Sequence, residues 1–148
     1  MSPEPLSSCE FVTDKLKMKL DVTLRAKTEA ISPAVERIMA VVSDMACAAG
    51  REFEIQTALQ ESLANAVIHG AKGDGRKRVR LTVMCDEERG MLITVRDPGR
   101  GFDPASVASP IVGENIFSSH GRGIFLLNQL MDEVTFKRGG TEIHMRKK

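Results

Sequence analysis

Tryptophan and tyrosine are absent from the chain, and its aromatic residues are six phenylalanines. No indole or phenol signal is available to report ligand binding. Cysteines number three, Cys9, Cys47 and Cys85, an odd count at wide spacing without a CxxC pair. A disulfide framework or a zinc site is therefore not expected. No run approaches about eighteen consecutive apolar residues, and no basic stretch followed by an apolar one opens the chain, so neither a spanning helix nor a signal peptide is expected. These absences describe a soluble protein of a reducing compartment, with the cytoplasm as the expected location. Charge of one sign is lacking too: Lys and Arg total 21 against 20 Asp and Glu, a formal +1. No global field favours nucleic acid or an anionic membrane, and neither is expected as a partner. The basic cluster "RKRVR" at 76–80 is the exception. It runs into a stretch of alternating polar and apolar residues and reads as a solvated strand face, with a phosphate-binding patch as the alternative.

The 148 residues, 42% of them hydrophobic, suit one domain that buries roughly 70% of its unfolded surface. Residues 1–14 mix Pro, Ser and acids without a pattern and read as a loose leader, and a single domain is expected over 15–148. In "LKMKLDVTL" at 16–24, Leu16, Met18, Leu20, Val22 and Leu24 alternate with polar residues. Period two predicts a half-buried strand. Ser32 and Pro33 suit an N-cap and first helical position, and Val35, Ile38, Met39, Val42, Met45 and Ala49 then recur at helical spacing until Gly50. A second helix is predicted over 54–69, with Ile55, Leu59, Leu63, Ala66 and Val67 on its core arc. Strands at 78–85 and 91–97, joined by "DEERG", read as a hairpin. A long Gly-, Pro- and Ser-containing segment at 98–120 has the length of a functional loop. A third helix at 123–131 and two strands around Gly139 and Gly140, read as a two-residue hairpin turn, complete the chain. No regular βαβ alternation is present. The pattern predicts an α+β two-layer sandwich, a mixed and mostly antiparallel sheet with helices packed on one face.

The chemistry-bearing residues lie at the ends of these elements. Glu61 and Asn65 in "ALQESLANAVIHG" are four apart, so they share a helix face about 40° wide, off the arc of Ile55, Leu59 and Ala66. A carboxylate can serve as general base and a carboxamide oxygen can ligate Mg²⁺. Such a pair is also what a solvated helix face looks like, and His69 one turn on fits a packing or capping role. In "DPGRG", Asp97 ends a strand and can accept a hydrogen bond from an exocyclic amine, while Gly99 and Gly101 admit a flat ring. A tight turn explains the same residues. "HGRGIFLLNQL" has half of a dinucleotide fingerprint but comes after a loop, not a strand, which fails that motif's context. What remains is a glycine-rich helix start, where free N–H groups favour phosphate. Thr141 adds a hydroxyl.

Taken in order, ExxxN on a helix, DxGxGF after a strand and GxG at a helix start resemble the ATP-binding domain shared by gyrase, the ninety-kilodalton heat-shock chaperone, histidine kinases and mismatch-repair ATPases. The resemblance spans residues 16–145, and its fold is the Bergerat type. "ESLANAVIHG" and "GRGIFLLNQLMDEVTF…GGTEIHM" are more narrowly similar to the serine-protein kinases that act as anti-sigma factors in bacterial stress and sporulation switches. The resemblance implies ATP and Mg²⁺ as cofactors, Glu61 as catalytic base and Asn65 as Mg²⁺ ligand. It implies adenine recognition by Asp97 with Gly99 and Gly101, a phosphate-side box of Gly121, Arg122 and Gly123, a nucleotide contact from Thr141, and an ATP lid at 103–120. The "HGRG" box is shorter than in some relatives. The implied partners are a sigma factor and a small anti-anti-sigma antagonist whose serine is phosphorylated, with a homodimer as an open state. A partner-switching module that binds ATP without transfer is the alternative. A histidine-kinase fragment is disfavoured, because no histidine or helix pair precedes the first helix.

Overall fold

The computed structural model describes residues 16–86, 88–99 and 119–148. Within them the chain forms strand β1 (Leu16–Arg25), helix α1 (Ile31–Asp44), helix α2 (Glu52–Asn65), strands β2 (Arg78–Asp86) and β3 (Gly90–Arg96), helix α3 (Ser119–Leu130), and strands β4 (Glu133–Lys137) and β5 (Glu142–Lys147). The strands join one sheet in the order β1-β2-β3-β5-β4. The fold is α+β, as the pattern predicts. Every pairing is antiparallel, so the sheet is not mixed.

Alternation in the strands decides which residues meet the helices. Leu24, Val79, Leu81, Val83, Ile93, Val95 and Met145 face one way and are buried with Val35, Ile38 and Val42 of α1, Ile55, Leu59 and Leu63 of α2, and Leu127 of α3. α2 touches both α1 and α3, which makes it the middle of the helical layer. Each fully buried Leu, Ile or Val contributes roughly 1.5–3 kcal/mol relative to exposure.

Local signals account for most boundaries, and the departures have physical causes. Ser32 and Pro33 do not cap α1; they sit inside its first turn, behind a 3₁₀ turn at Thr28–Ala30. Proline is tolerated there because first-turn N–H groups lack helical partners in any case. α1 ends at Asp44, and turns with Ala46 at φ 54° carry the chain to Gly50. α3 begins at Ser119, so Gly121 and Gly123 lie within the helix and do not precede it. The β4–β5 connection is longer than the expected Gly139-Gly140 turn: Lys137 pairs with Glu142, and Arg138, Gly139 and Gly140 all take positive φ between them. Two successive left-handed glycines after Arg138 set that turn's shape.

The expectation of no disulfide is overturned. Cys47, in the turns after α1, is bonded to Cys85 of β2, with their Cα atoms 6.0 Å apart. Spacing along the chain does not signal this pair, because packing of the helical layer on the sheet brings together residues separated by 38 positions. Closing a loop of that length removes unfolded-state entropy worth roughly 2–4 kcal/mol. Reduction with dithiothreitol is expected to lower the stability measured by urea unfolding by that amount. An unchanged unfolding midpoint would mean that the two thiols are not joined in solution.

Candidate functional site

α2 does not simply stop at Asn65. It runs into a π-helical segment, Ala66–Gly70, in which the Ala71 N–H donates to the Ala66 carbonyl over 2.8 Å. The Gly73 N–H likewise reaches back to the Val67 carbonyl over 2.8 Å. The wider turn keeps Ala66 and Val67 in the core and delivers His69 and Gly70 to the end of β3. Such insertions often accompany functional sites.

Asp97 comes directly after the last residue of β3. Its N–H donates to the Thr141 carbonyl (2.8 Å), which ties the start of this loop to the residue preceding β5. Its Oδ1 accepts the Gly99 N–H at 2.8 Å. Burial raises the Asp97 pKa above the usual carboxylate value, and the Gly99 N–H partly opposes that rise. The carboxylate rests against Gly70: a Cβ on that glycine would lie 2.6 Å from Oδ1 and 2.7 Å from the Asp97 Cβ. Gly99 is constrained in the same way, with Asp97 Oδ1 at 2.9 Å from its would-be Cβ. These two glycines let the loop and the π turn meet.

A cleft of about 860 Å³ opens beside this junction. Asn65, Asp97, Gly99 and Thr141 line it among the expected residues, and Val95, Ile124, Phe136 and Ile143 form apolar walls. The cleft has the size of a small-molecule site, and its lining mixes polar and charged groups with these apolar walls. Thr141 directs its hydroxyl to the Arg138 carbonyl at 2.9 Å, so its own turn holds it. Lys72 and Lys77 stand at the cleft and bring positive charge. His69 also lines it, with burial lowering its pKa.

Glu61 and Asn65 converge where α3 crosses α2. Glu61 Oε2, Asn65 Oδ1 and Asn65 Nδ2 are each 3.2 Å from the position a Cβ on Gly123 would take. Glycine weakens a helix interior by about 1 kcal/mol relative to alanine, and close approach of the two polar side chains explains its place here. Glu61 itself does not line the cleft; it stands one turn before Asn65, which does. Gly121 and Arg122 lie in the first turn of α3, and the Arg122 side chain is outside the described residues. Gly101 and the lid expected at 103–120 are outside them as well, apart from 119 and 120, which begin α3.

Sequence reading misses Gly70, Lys72 and Lys77. Gly70 carries a signal, the "HG" that ends the second helical pattern, but locally it reads as a helix stop and not as a seat for an acid. Lys72 carries none, since "GAKGDGR" reads only as a loop, and Lys77 belongs to the basic cluster at 76–80, which reads as a strand face and not as a cleft wall.

A family model described as "Histidine kinase-like ATPase domain" matches residues 24–147. The chain is 25% identical over 137 residues to "Anti-sigma F factor" of Bacillus licheniformis, covering 89% of this chain and 93% of the relative. It is 31% identical over 99 residues to the protein of the same name from Bacillus thuringiensis (strain Al Hakam), covering 64% of this chain and 67% of that one.

Two outcomes are expected from the Asp97–Gly70 contact. Gly70→Ala should displace the carboxylate, destabilise the fold by roughly 1–3 kcal/mol, the usual range for overpacking, and weaken nucleotide binding. Calorimetry or a fluorescent ATP analogue would measure this, and unchanged affinity would remove Gly70 from the site. For Asp97, a raised folded-state pKa means that the native state holds its proton more tightly than the unfolded chain does. Its contribution is then most favourable in acid and declines as pH rises from the ordinary carboxylate range through the raised value. Asp97→Asn should therefore raise the melting temperature of the nucleotide-free protein at neutral pH. The gain should vanish in acid below the ordinary carboxylate range, and a variant less stable at neutral pH would contradict the cause given for the shift.

Proposed function

The chain belongs to the histidine kinase-like ATPase domain family, and from that premise we propose that it is an ATP- and Mg²⁺-dependent protein-serine kinase acting as an anti-sigma factor. Its acceptor is a serine on a small anti-anti-sigma partner. The observation that carries this reading is the convergence of Glu61 and Asn65 on Gly123, with Asn65 lining the same cleft as Asp97. The name shared by the relatives supports the anti-sigma role.

In this reading the Asp97 Oδ2 accepts a hydrogen bond from the adenine amino group, and Val95, Phe136 and Ile143 flank the base. Lys72 and Lys77 offer charge to the ribose and phosphate side of the ligand. Glu61 takes the proton of the incoming serine hydroxyl as that oxygen bonds to the γ-phosphorus, and the bond to the β-phosphate oxygen breaks to release ADP. The donor set fits Mg²⁺ carried by the nucleotide. Among the described residues no group of three or more His, Cys, Asp or Glu is placed to hold a metal, but an ion that keeps several waters and phosphate oxygens needs only one or two protein ligands. Asn65 would supply its carboxamide oxygen, and the bound ion would neutralise charge on the phosphates. No helix among the described residues is long and apolar enough to cross a membrane.

The test is to incubate the protein with γ-labelled ATP and each candidate antagonist encoded by the same genome. Label should appear on a partner serine. Glu61→Gln should abolish transfer while leaving ATP affinity within a few-fold, since loss of a base affects the transition state more than the ground state. ATP binding and partner exchange without label on any serine would instead favour a nucleotide-set binding module.

A further inference from the structure

The sheet has a second face that the helices do not cover. Its residues alternate with the core set: Lys19, Asp21, Thr23 and Arg25 on β1, Arg78, Arg80, Thr82 and Met84 on β2, Leu92, Thr94 and Arg96 on β3, and Glu142, His144 and Arg146 on β5. Cationic side chains predominate at the end nearest Asp97. Arg25 is the cross-strand partner of Arg78, and Arg80 is the partner of Arg96. All four are exposed. Strand spacing and rise place them within a patch roughly 10 Å by 7 Å, comparable to a Debye length of about 8 Å at physiological ionic strength.

Like charges directly opposite one another destabilise a sheet, and here two such pairs are adjacent. Glu142 stands opposite Arg96 in the sheet, but among the described residues neither it nor Asp21 forms an ion pair with the four arginines. Asp21 accepts the Thr82 hydroxyl at 2.8 Å. Glu142 is engaged by His144 Nε2 at 2.6 Å and by Arg138 Nε at 3.4 Å. Arg78 reaches only neutral carbonyls, those of Gly75 and Lys77. Arg25, Arg80 and Arg96 have no carboxylate partner among the described residues. An open groove of about 400 Å³ passes through the patch, lined by Asp21, Thr23, Arg78, Arg80 and Thr82 among others. The chain as a whole is nearly neutral, so this charge is a local concentration.

We propose that the Arg25–Arg78–Arg80–Arg96 patch is a docking surface for an acidic protein partner, one that presents several clustered Asp or Glu side chains. Guanidinium groups suit carboxylates by their bidentate geometry, and the groove's threonines add hydroxyls for polar contact. A second copy of the chain fits poorly, since face-to-face docking sets the same arginines against each other. Nucleic acid fits poorly as well. The described residues of this face include no phenylalanine to stack on bases, and interspersed Asp21, Glu133 and Glu142 repel a phosphate backbone. The surface lies on the sheet face opposite the helices that carry Glu61 and Asn65, so it stands whether or not phosphoryl transfer occurs.

The test uses the full chain and fluorescent poly-L-glutamate as the probe, followed by anisotropy. Arg78→Gln combined with Arg80→Gln should weaken binding roughly tenfold, in line with two lost exposed ion pairs, and added salt should weaken it further. Arg37→Gln combined with Arg51→Gln removes the same charge elsewhere and should leave affinity nearly unchanged. Arg80→Gln alone should melt no lower than the wild type at low salt, because it relieves repulsion with Arg96. Equal loss in the control pair would overturn the proposal by reducing the effect to net charge. Lower melting of Arg80→Gln would overturn it by making the arginine structural. Tighter binding of duplex DNA than of poly-L-glutamate would assign the surface to nucleic acid, and a dimer dispersed by the Arg78/Arg80 variant in ultracentrifugation would assign it to a second copy; either result overturns it too.

Discussion

Most apolar side chains from the five strands pack on one face, beneath α1, α2 and α3, and that largely one-sided burial governs the rest of the molecule. Because strand side chains alternate, a slip of one residue in any pairing would expose Leu81, Val83 or Ile93 and bury Arg80, Thr82 or Thr94. The register is thereby held, and with it the place where each strand ends. β3 ends at Arg96 and β5 begins at Glu142, its cross-strand partner, so Asp97 and Thr141 emerge side by side and share a backbone hydrogen bond.

The cleft is a consequence of the same arrangement at the helical layer's end. α2 is pressed against the sheet by Ile55, Leu59 and Leu63, and the π segment lets the chain leave the core without losing Ala66 and Val67 from it. Gly70 then arrives at Asp97 with no room for a side chain. An acid raised in pKa by burial is a standing cost to the nucleotide-free fold. Groups perturbed in this way tend to cluster at functional sites, which is why Asp97 is a candidate. The opposite face shows the complementary case. Leu92 is buried there, but the end that the helices leave exposed carries arginines in pairs that the sheet alone does not favour.

Much of this is legible in the residues alone. The order of elements, the core arcs of α1 and α2 and the alternation in β1, β2 and β3 come from hydrophobic period, which is a local property. Glu61, Asn65, Asp97 and Thr141 stand out as site candidates from spacing and family likeness. The errors lie where nonlocal geometry decides. α3 starts before Gly121 and not after it, the 138–141 connection is four residues long, and Ser32 does not cap α1. In each case the local propensities of Gly, Pro and Ser are worth about 1 kcal/mol or less at tolerated positions, and packing outweighs them.

The amino-acid sequence by itself determined that the chain is α+β, which side of each strand and helix is apolar, and which few polar residues are set apart from those faces. These are set by residue type at periods of two and 3.6, and need no knowledge of neighbours. Only the tertiary structure decided that Gly70 seats Asp97, that Gly123 meets Glu61 and Asn65, that Cys47 reaches Cys85, and that four arginines from three strands become one patch. Each of those contacts joins residues brought near by sheet register and layer packing, and distance along the chain holds no information about such proximity.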